Sequence, residues 1–342
     1  MPNKKLLSGI IKSTLTLAAY GFVIYKLADY YARWQSGGLP DTFEWNTGWF
    51  LLLLVLMGIN WMLEAVRWKK LTRGIQDISL YQSLQAVLSG IAIGLLTPKR
   101  IGDVGGRCMM MKPENRSRGL MAFGLGSLLQ SGVTLLFGTF SLLLIFPGEK
   151  LTAPQATTLL ILAGSLGSFL FFFIRHRTSI RPLLSKIPRL QKHLGALDCL
   201  ENTTASRITG IFIIGVVRYM VFATQFVLLL KFFPTPIPLL HAYIAIGLMY
   251  FLITFIPVSS LAELGIRGSI AAFTFGLFTP QTQGAILAAS GLWVINLALP
   301  ALAGAWIIGF SQNTLAIPAF RIPFQSFPRK SLAFFSRYSR KL

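Results

Sequence analysis

Apolar blocks long enough to cross a bilayer dominate this chain and limit what it can fold into. They run from about 6 to 25, 49 to 66, 119 to 146, 157 to 174, 208 to 230 and 285 to 310. About 20 such residues span a hydrocarbon core, and a globular core needs no blocks of that length. Soluble domains carry about 25% charged residues; this chain carries 13%, with a mean hydropathy of +0.63. The sequence therefore predicts an all-α, polytopic integral membrane helix bundle.

A net charge of +21 would ordinarily suggest nucleic acid. The distribution of the charge excludes that reading. Most of the 32 Lys and Arg residues fall at the N-terminus and in 67–73, 99–118, 175–207 and 321–341, between apolar blocks rather than on one face. This is the positive-inside pattern of a multi-pass membrane protein, with both termini expected on the cytoplasmic side. Lys4 and Lys5 precede the first block, which has no clean cleavage site after it and reads as an uncleaved helix. Cys108 and Cys199 form no CxxC spacing and read as inert thiols. No cofactor or metal motif is present, and no GxxxxGK[ST] occurs.

Two segments break the simple crossing pattern. Leu80 to Leu96 is barely long enough to span. If it crossed, Lys99, Arg100, Arg107, Lys112, Arg116 and Arg118 would all lie outside. A re-entrant hairpin removes the violation: 80–96 enters from the cytoplasm, breaks at Thr97-Pro98, and 101–111 returns. Leu239 to Phe255, a break at Ile256-Pro257 and a second piece from Ile266 to Phe278 repeat the problem from the outer side. Non-helical backbone at that depth requires shielding by protein or a water-filled cavity.

These two exceptions resemble each other. Asp103-Val104-Gly105-Gly106-Arg107 and Glu263-Leu264-Gly265-Ile266-Arg267 both read acid–aliphatic–Gly–x–Arg, at an offset of 263 − 103 = 160 residues. Pro98 precedes one and Pro257 the other. Entering from opposite faces, the two broken-helix hairpins would form an inverted repeat, an arrangement of secondary transporters with a midplane site. Pro98, Gly102, Gly105, Pro257 and Gly265 are then the expected hinge and turn positions, and each returning half-helix offers a positive dipole end suited to a phosphate. Arg100, Asp103, Arg107, Glu263 and Arg267 are the candidate substrate-binding residues. The acid–Arg pairs also read as staples that hold the fold.

Arg218 adds a charge near the middle of the 208–230 block, where it costs about 2.5–3.5 kcal/mol on insertion scales and should face the interior. It reads either as a phosphate ligand or as the partner of Asp103 or Glu263. Asn60, Glu64, Gln130, Gln225, Asn296 and His241 are lesser candidates. Glu64 and Arg67, one turn apart, read as an interfacial pair; His241 reads as interfacial, and Met109 to Met111 as packing. Residues 180–194 read either as an amphipathic helix on the inner leaflet or as a solvated loop. The tail, 313–342, mixes six Lys or Arg after residue 320 with Phe320, Phe324, Phe327, Phe334 and Phe335. It reads as a lipid-surface anchor or as a disordered segment.

Thr97-Pro98-Lys99-Arg100-Ile101-Gly102-Asp103-Val104-Gly105 resembles the TPGRxGE signature of the lysylphosphatidylglycerol synthase/flippase transmembrane-region family, and Gly265-Ile266-Arg267 resembles its second, GxRE-type motif. The resemblance covers about 6–310. It departs at Lys99 (Gly is common), Asp103 (Glu is common) and Gly268 (an acid is common), with Glu263 lying before the motif instead. The resemblance implies a flippase-like membrane domain over 1–312 that moves or presents lipids. The soluble synthase domain is expected to be absent, and with it the aminoacyl-transfer activity. The expected function is a non-enzymatic lipid translocase for a phospholipid or lipid-linked headgroup. A membrane-embedded transferase or accessory subunit is the alternative. Its partners would be membrane lipids, with room for a membrane-protein partner or a second copy.

Overall fold

The computed structural model describes residues 46–97, 100–145, 203–233, 235–256 and 260–310. The readings of the first apolar block, 147–150, 157–174, 180–194, the tail, Cys199, Pro98 and Pro257 lie outside these residues. Among the described residues there are nine α-helices and no strand. Four helical rods are long and apolar enough to cross a membrane: Thr47–Thr72, Pro113–Ile145, Ala205–Phe232 and Gln283–Ile308.

The surface is inverted relative to a soluble protein. Leu51, Val55, Ile59 and Met62 of helix α1 (Thr47–Thr72) are exposed, while Asn60, Glu64 and Arg67 of the same helix are buried. In water this pattern would expose apolar area and bury charge, both unfavourable. In lipid it reverses, because intramembrane polar groups face the bundle interior. Local signals set the helix ends. Asn46 caps α1 by accepting from the Trp49 amide at 3.1 Å, and Lys69 and Lys70 occupy the last turn, where cations suit the helix dipole. A capping box of Ser79 and Gln82 starts α2 (Leu80–Leu96).

Helix α2 and the short α3 (Ile101–Met109) fold back on each other. Gly90 lies against Gly106, and Gly94 against Asp103 nearer the corner. At the corner Arg100 adopts a left-handed φ of 53°, and the Gly102 amide donates to Thr97 Oγ1 at 2.7 Å. The turn role expected of Gly102, Gly105 and Gly265 is therefore corrected: all three lie within helices, and the left-handed residue is Arg100. Gly102 serves close approach instead, since a Cβ there would lie 2.6 Å from the Ile93 carbonyl oxygen. Helix α4 (Arg116–Ile145) follows.

The second part repeats this order. A long α5 (Ala205–Phe232) precedes α6 (Leu239–Phe255), a break, α7 (Ser260–Gly276), then α8 (Gln283–Trp293) and α9 (Leu299–Phe310). Helix α7 begins at Ser260, six residues earlier than the expected Ile266, so Glu263 sits on the helix rather than in the break. Both α2 and α6 have 17 residues, about 25 Å at 1.5 Å per residue, less than the ~30 Å hydrocarbon core. A π-helical turn, Val294–Ala298, joins α8 to α9. Pro300 two residues on explains it: proline lacks an N–H and clashes with the carbonyl four residues back, and a π turn absorbs both.

The two parts pack reciprocally. Helix α2 lies against α9, and α6 lies against α4. Small residues permit both contacts: Gly304 abuts Leu88 and Ala92, Gly138 abuts Phe251, and Gly247 abuts Ser141. Helices α1 and α5 meet antiparallel, with Trp49 beside Phe232, Leu53 beside Gln225, Asn60 beside Arg218 and Arg73 beside Arg207.

This packing predicts a contrast between two glycines. A Cβ on Gly106 would lie 2.7 Å from Gly90 Cα, whereas one on Gly124 meets nothing within 4 Å. Gly106→Ala should cost about 1–3 kcal/mol by overpacking and lower the melting temperature in detergent. Gly124→Ala should leave it unchanged or raise it.

Candidate functional site

Helix α1 presents Asn60, Glu64 and Arg67 on one stripe, at helical spacings of four and three. Glu64 is only 4% exposed, yet its carboxylate accepts from three arginines. Arg67 donates at 2.8 Å, Arg107 of α3 at 2.6 Å, and Arg218 of α5 donates as well. Arg107, also 4% exposed, turns its Nε to Asp103 at 2.7 Å. Its guanidinium lies over the rings of Trp68 at 5.5 Å and Phe123 at 5.2 Å, a favourable cation–π setting. A single carboxylate thus joins the first hairpin to both antiparallel helices.

Amide side chains extend the network. Arg67 donates to Gln130 Oε1 at 2.8 Å and Arg218 Nε donates to Asn60 Oδ1 at 3.1 Å. Asn60 donates to Asn296 at 2.8 Å, Asn296 to Gln225 at 2.9 Å, and Gln225 to the Leu53 carbonyl at 3.4 Å. The π turn carries Asn296 into this chain of bonds, and π turns concentrate at functional positions.

The bonds occur in matched sets. With the two parts aligned at an offset of 218 − 60 = 158 residues, Asn60 corresponds to Arg218 and Arg67 to Gln225; in the following long rods Gln130 corresponds to Asn296. Arg67–Gln130 then matches Gln225–Asn296, Asn60–Asn296 matches the longer 3.4 Å Arg218–Gln130 bond, and Asn60–Arg218 matches itself. Glu64 has no such counterpart, because the residue at the same offset in α5 is Phe222.

A second ion cluster joins the two hairpins. Glu263 in the first turn of α7 pairs with Arg267 one turn on at 2.8 Å, and with Arg100 at the corner of the first hairpin at 2.8 Å. Each motif's acid pairs with its own arginine, and Arg100 crosses between motifs. Asp103 and Glu263 lie in the first turns of α3 and α7. The positive helix ends, expected to be free for a phosphate, already hold the chain's own carboxylates.

Between the clusters lies a cavity of about 210 Å³, lined by Arg100, Arg218, Arg267, Gln130, Tyr250 and Trp293 among others. Three of the six predicted binding residues reach it. Asp103, Arg107 and Glu263 are not among its lining residues; Glu263 holds the lining Arg100 and Arg267, while Asp103 and Arg107 pair with each other. Sequence reasoning ranked Asn60, Gln130, Gln225 and Asn296 low. The Glu64–Arg67 pair forms as its spacing predicts, but it lies in the bundle interior rather than at an interface. The stripe of Asn60, Glu64 and Arg67 on an otherwise apolar helix was the signal for this hub. His241 packs on Phe278, with ring centroids 5.0 Å apart, and Met111 is buried against Gly119. Among the described residues no three His, Cys, Asp or Glu side chains could hold a metal.

Comparison with known proteins agrees with this architecture. No curated protein and no solved structure matches the chain. A family model described as Lysylphosphatidylglycerol synthase TM region matches residues 13–304. That match includes both hairpins, both ion clusters and every described long rod except the end of the last one. The chain therefore belongs to the lysylphosphatidylglycerol synthase transmembrane-region family.

Proposed function

We propose that this chain is a lipid translocase that moves a phospholipid or a lipid-linked headgroup between the leaflets of a bacterial cytoplasmic membrane. The observation that carries the reading is the arginine-lined cavity where the two hairpins meet. Transporters place their sites between broken helices from two related halves. Helices α2 and α6 are short for a full crossing, α1 and α5 run antiparallel, and the hairpins pack reciprocally against the long rods. These features support two re-entrant hairpins that enter from opposite faces as an inverted repeat. A charged headgroup then passes the polar junction while its acyl chains stay in lipid beside the exposed apolar faces of the rods.

The reading is non-enzymatic. The intramembrane carboxylates that would serve as acid or base, Glu64, Asp103 and Glu263, are each bound by arginine. Those carboxylates are engaged in holding the arginines in place. Basic segments at 67–73 and 99–118 face the cytoplasm in this arrangement.

Purified protein in liposomes should accelerate the loss of leaflet-restricted labelled phospholipid. Arg218→Ala or Glu263→Gln should slow it by about tenfold or more, since each removes charge-assisted bonds of about 1.5–3 kcal/mol, while size-exclusion profiles show folded protein. Unchanged rates in both variants would remove the cavity from the transport path. Topology is tested separately with Cys108 and Cys199 replaced by Ala. Cysteines introduced at Lys112 and Leu239 should then label from opposite sides of the membrane. Labelling of both from one side would rule out the opposed hairpins.

A further inference from the structure

We infer that the cavity is a site for the phosphate of an anionic lipid headgroup and rejects headgroups bearing amines. This rests on the translocase reading for its place in the membrane, but its chemistry stands on the cavity itself. The family's description refers to an aminoacylated, cation-bearing lipid, and the charge arrangement here suits the opposite sign.

The argument begins with the charge inventory. The two clusters hold five arginines, Arg67, Arg100, Arg107, Arg218 and Arg267, against three carboxylates, Glu64, Asp103 and Glu263. The surplus is two positive charges. It is not evenly placed, because Arg100, Arg218 and Arg267 line the cavity and none of the three carboxylates does. A cationic headgroup would meet only like charge among the charged side chains there.

Unpartnered donors point the same way. The Nε of Arg100 and the indole Nε1 of Trp293 are shielded from solvent, and neither has an acceptor among the described residues. Both residues line the cavity. Buried donors without acceptors are costly, and a turn of either side chain toward the cavity would offer its donor to a ligand rich in acceptor oxygens. Guanidinium groups match phosphate oxygens in geometry and are weakly hydrated. The 210 Å³ volume suits a headgroup rather than a whole lipid. The Arg100 side chain is the most open member of the second cluster, at 37% against 11% for Glu263 and 19% for Arg267. It is the arginine most free to turn toward an arriving phosphate.

The test measures binding to the full chain in detergent by native mass spectrometry, separately from flipping. Short-chain phosphatidylglycerol should bind at least about tenfold tighter than lysylphosphatidylglycerol or phosphatidylcholine. Arg100→Gln should weaken phosphatidylglycerol binding about tenfold. Trp293→Phe, which removes only an N–H from a retained ring, should weaken it about threefold. Inorganic phosphate binding as tightly as phosphatidylglycerol would support the anion site and assign it to free phosphate. Equal affinity for all three lipids, or no effect of either variant, would overturn the inference. Anion-selective binding without flipping would overturn the translocase reading and leave the site; flipping without headgroup preference would do the reverse.

Discussion

Glu64 is the side chain on which the interior of this bundle depends. Its carboxylate receives Arg67 from its own helix, Arg107 from the first hairpin and Arg218 from the antiparallel helix α5. In a low-dielectric interior each of those arginines would be costly alone, and removing one partner of a buried pair typically costs about 3–5 kcal/mol. Glu64 therefore does more than offset a charge. It fixes where three separate elements sit relative to one another, because a carboxylate offers a small, directional set of acceptor positions. The amide chain from Asn60 to Gln225 continues that fixing along the α1–α5 seam without adding charge.

Packing and charge follow different rules in this molecule. The packing is reciprocal: α2 against α9, α6 against α4, with glycine at each close contact. The polar bonds along the seam are matched in position too, each all-amide bond answering one made by an arginine. Ionised groups break the match. Asn60 stands opposite Arg218, Gln225 corresponds to Arg67, and Phe222 corresponds to Glu64. A scaffold with matched halves supplies the geometry of a central site, and unmatched charges give that site its sign. Gln130 and Asn296, the corresponding positions that carry an amide in both halves, suit that role because an amide both donates and accepts.

Much of this was legible in the sequence. Block length and charge asymmetry gave the long rods, because those signals are local and large. The repeated acid–aliphatic–Gly–x–Arg motif led to the helices that meet at the cavity, and the i, i+4 pairs within it formed as spacing dictates. What could not be read was set by contacts distant in sequence. Arg100 pairs with Glu263 across 163 residues. The stripe of Asn60, Glu64 and Arg67 marks a polar face on α1, but nothing in it reveals that Arg107 and Arg218 from other helices reach the same carboxylate. The glycines misled for a related reason. Gly102, Gly105 and Gly265 signal either a turn or a close backbone approach, and only the partner helix decides between them; at Gly102 it is the approach of Ile93.

The positive sign of the cavity follows from how the carboxylates are used. Asp103 and Glu263 sit in the first turns of their helices, where the dipole and an arginine one turn on both stabilise the anion. Those preferences hold each carboxylate at its own helix end, from which Glu263 also takes Arg100 of the other hairpin. The arginines have longer side chains and more donors than one carboxylate can satisfy. Arg100, Arg218 and Arg267 therefore reach the cavity with their carboxylate partners behind them. A site built this way keeps its charges paired in the absence of ligand, which makes it tolerable within lipid. The only charged side chains it presents to whatever enters are arginines, so its selectivity for anions arises from the same pairing that lets the fold exist.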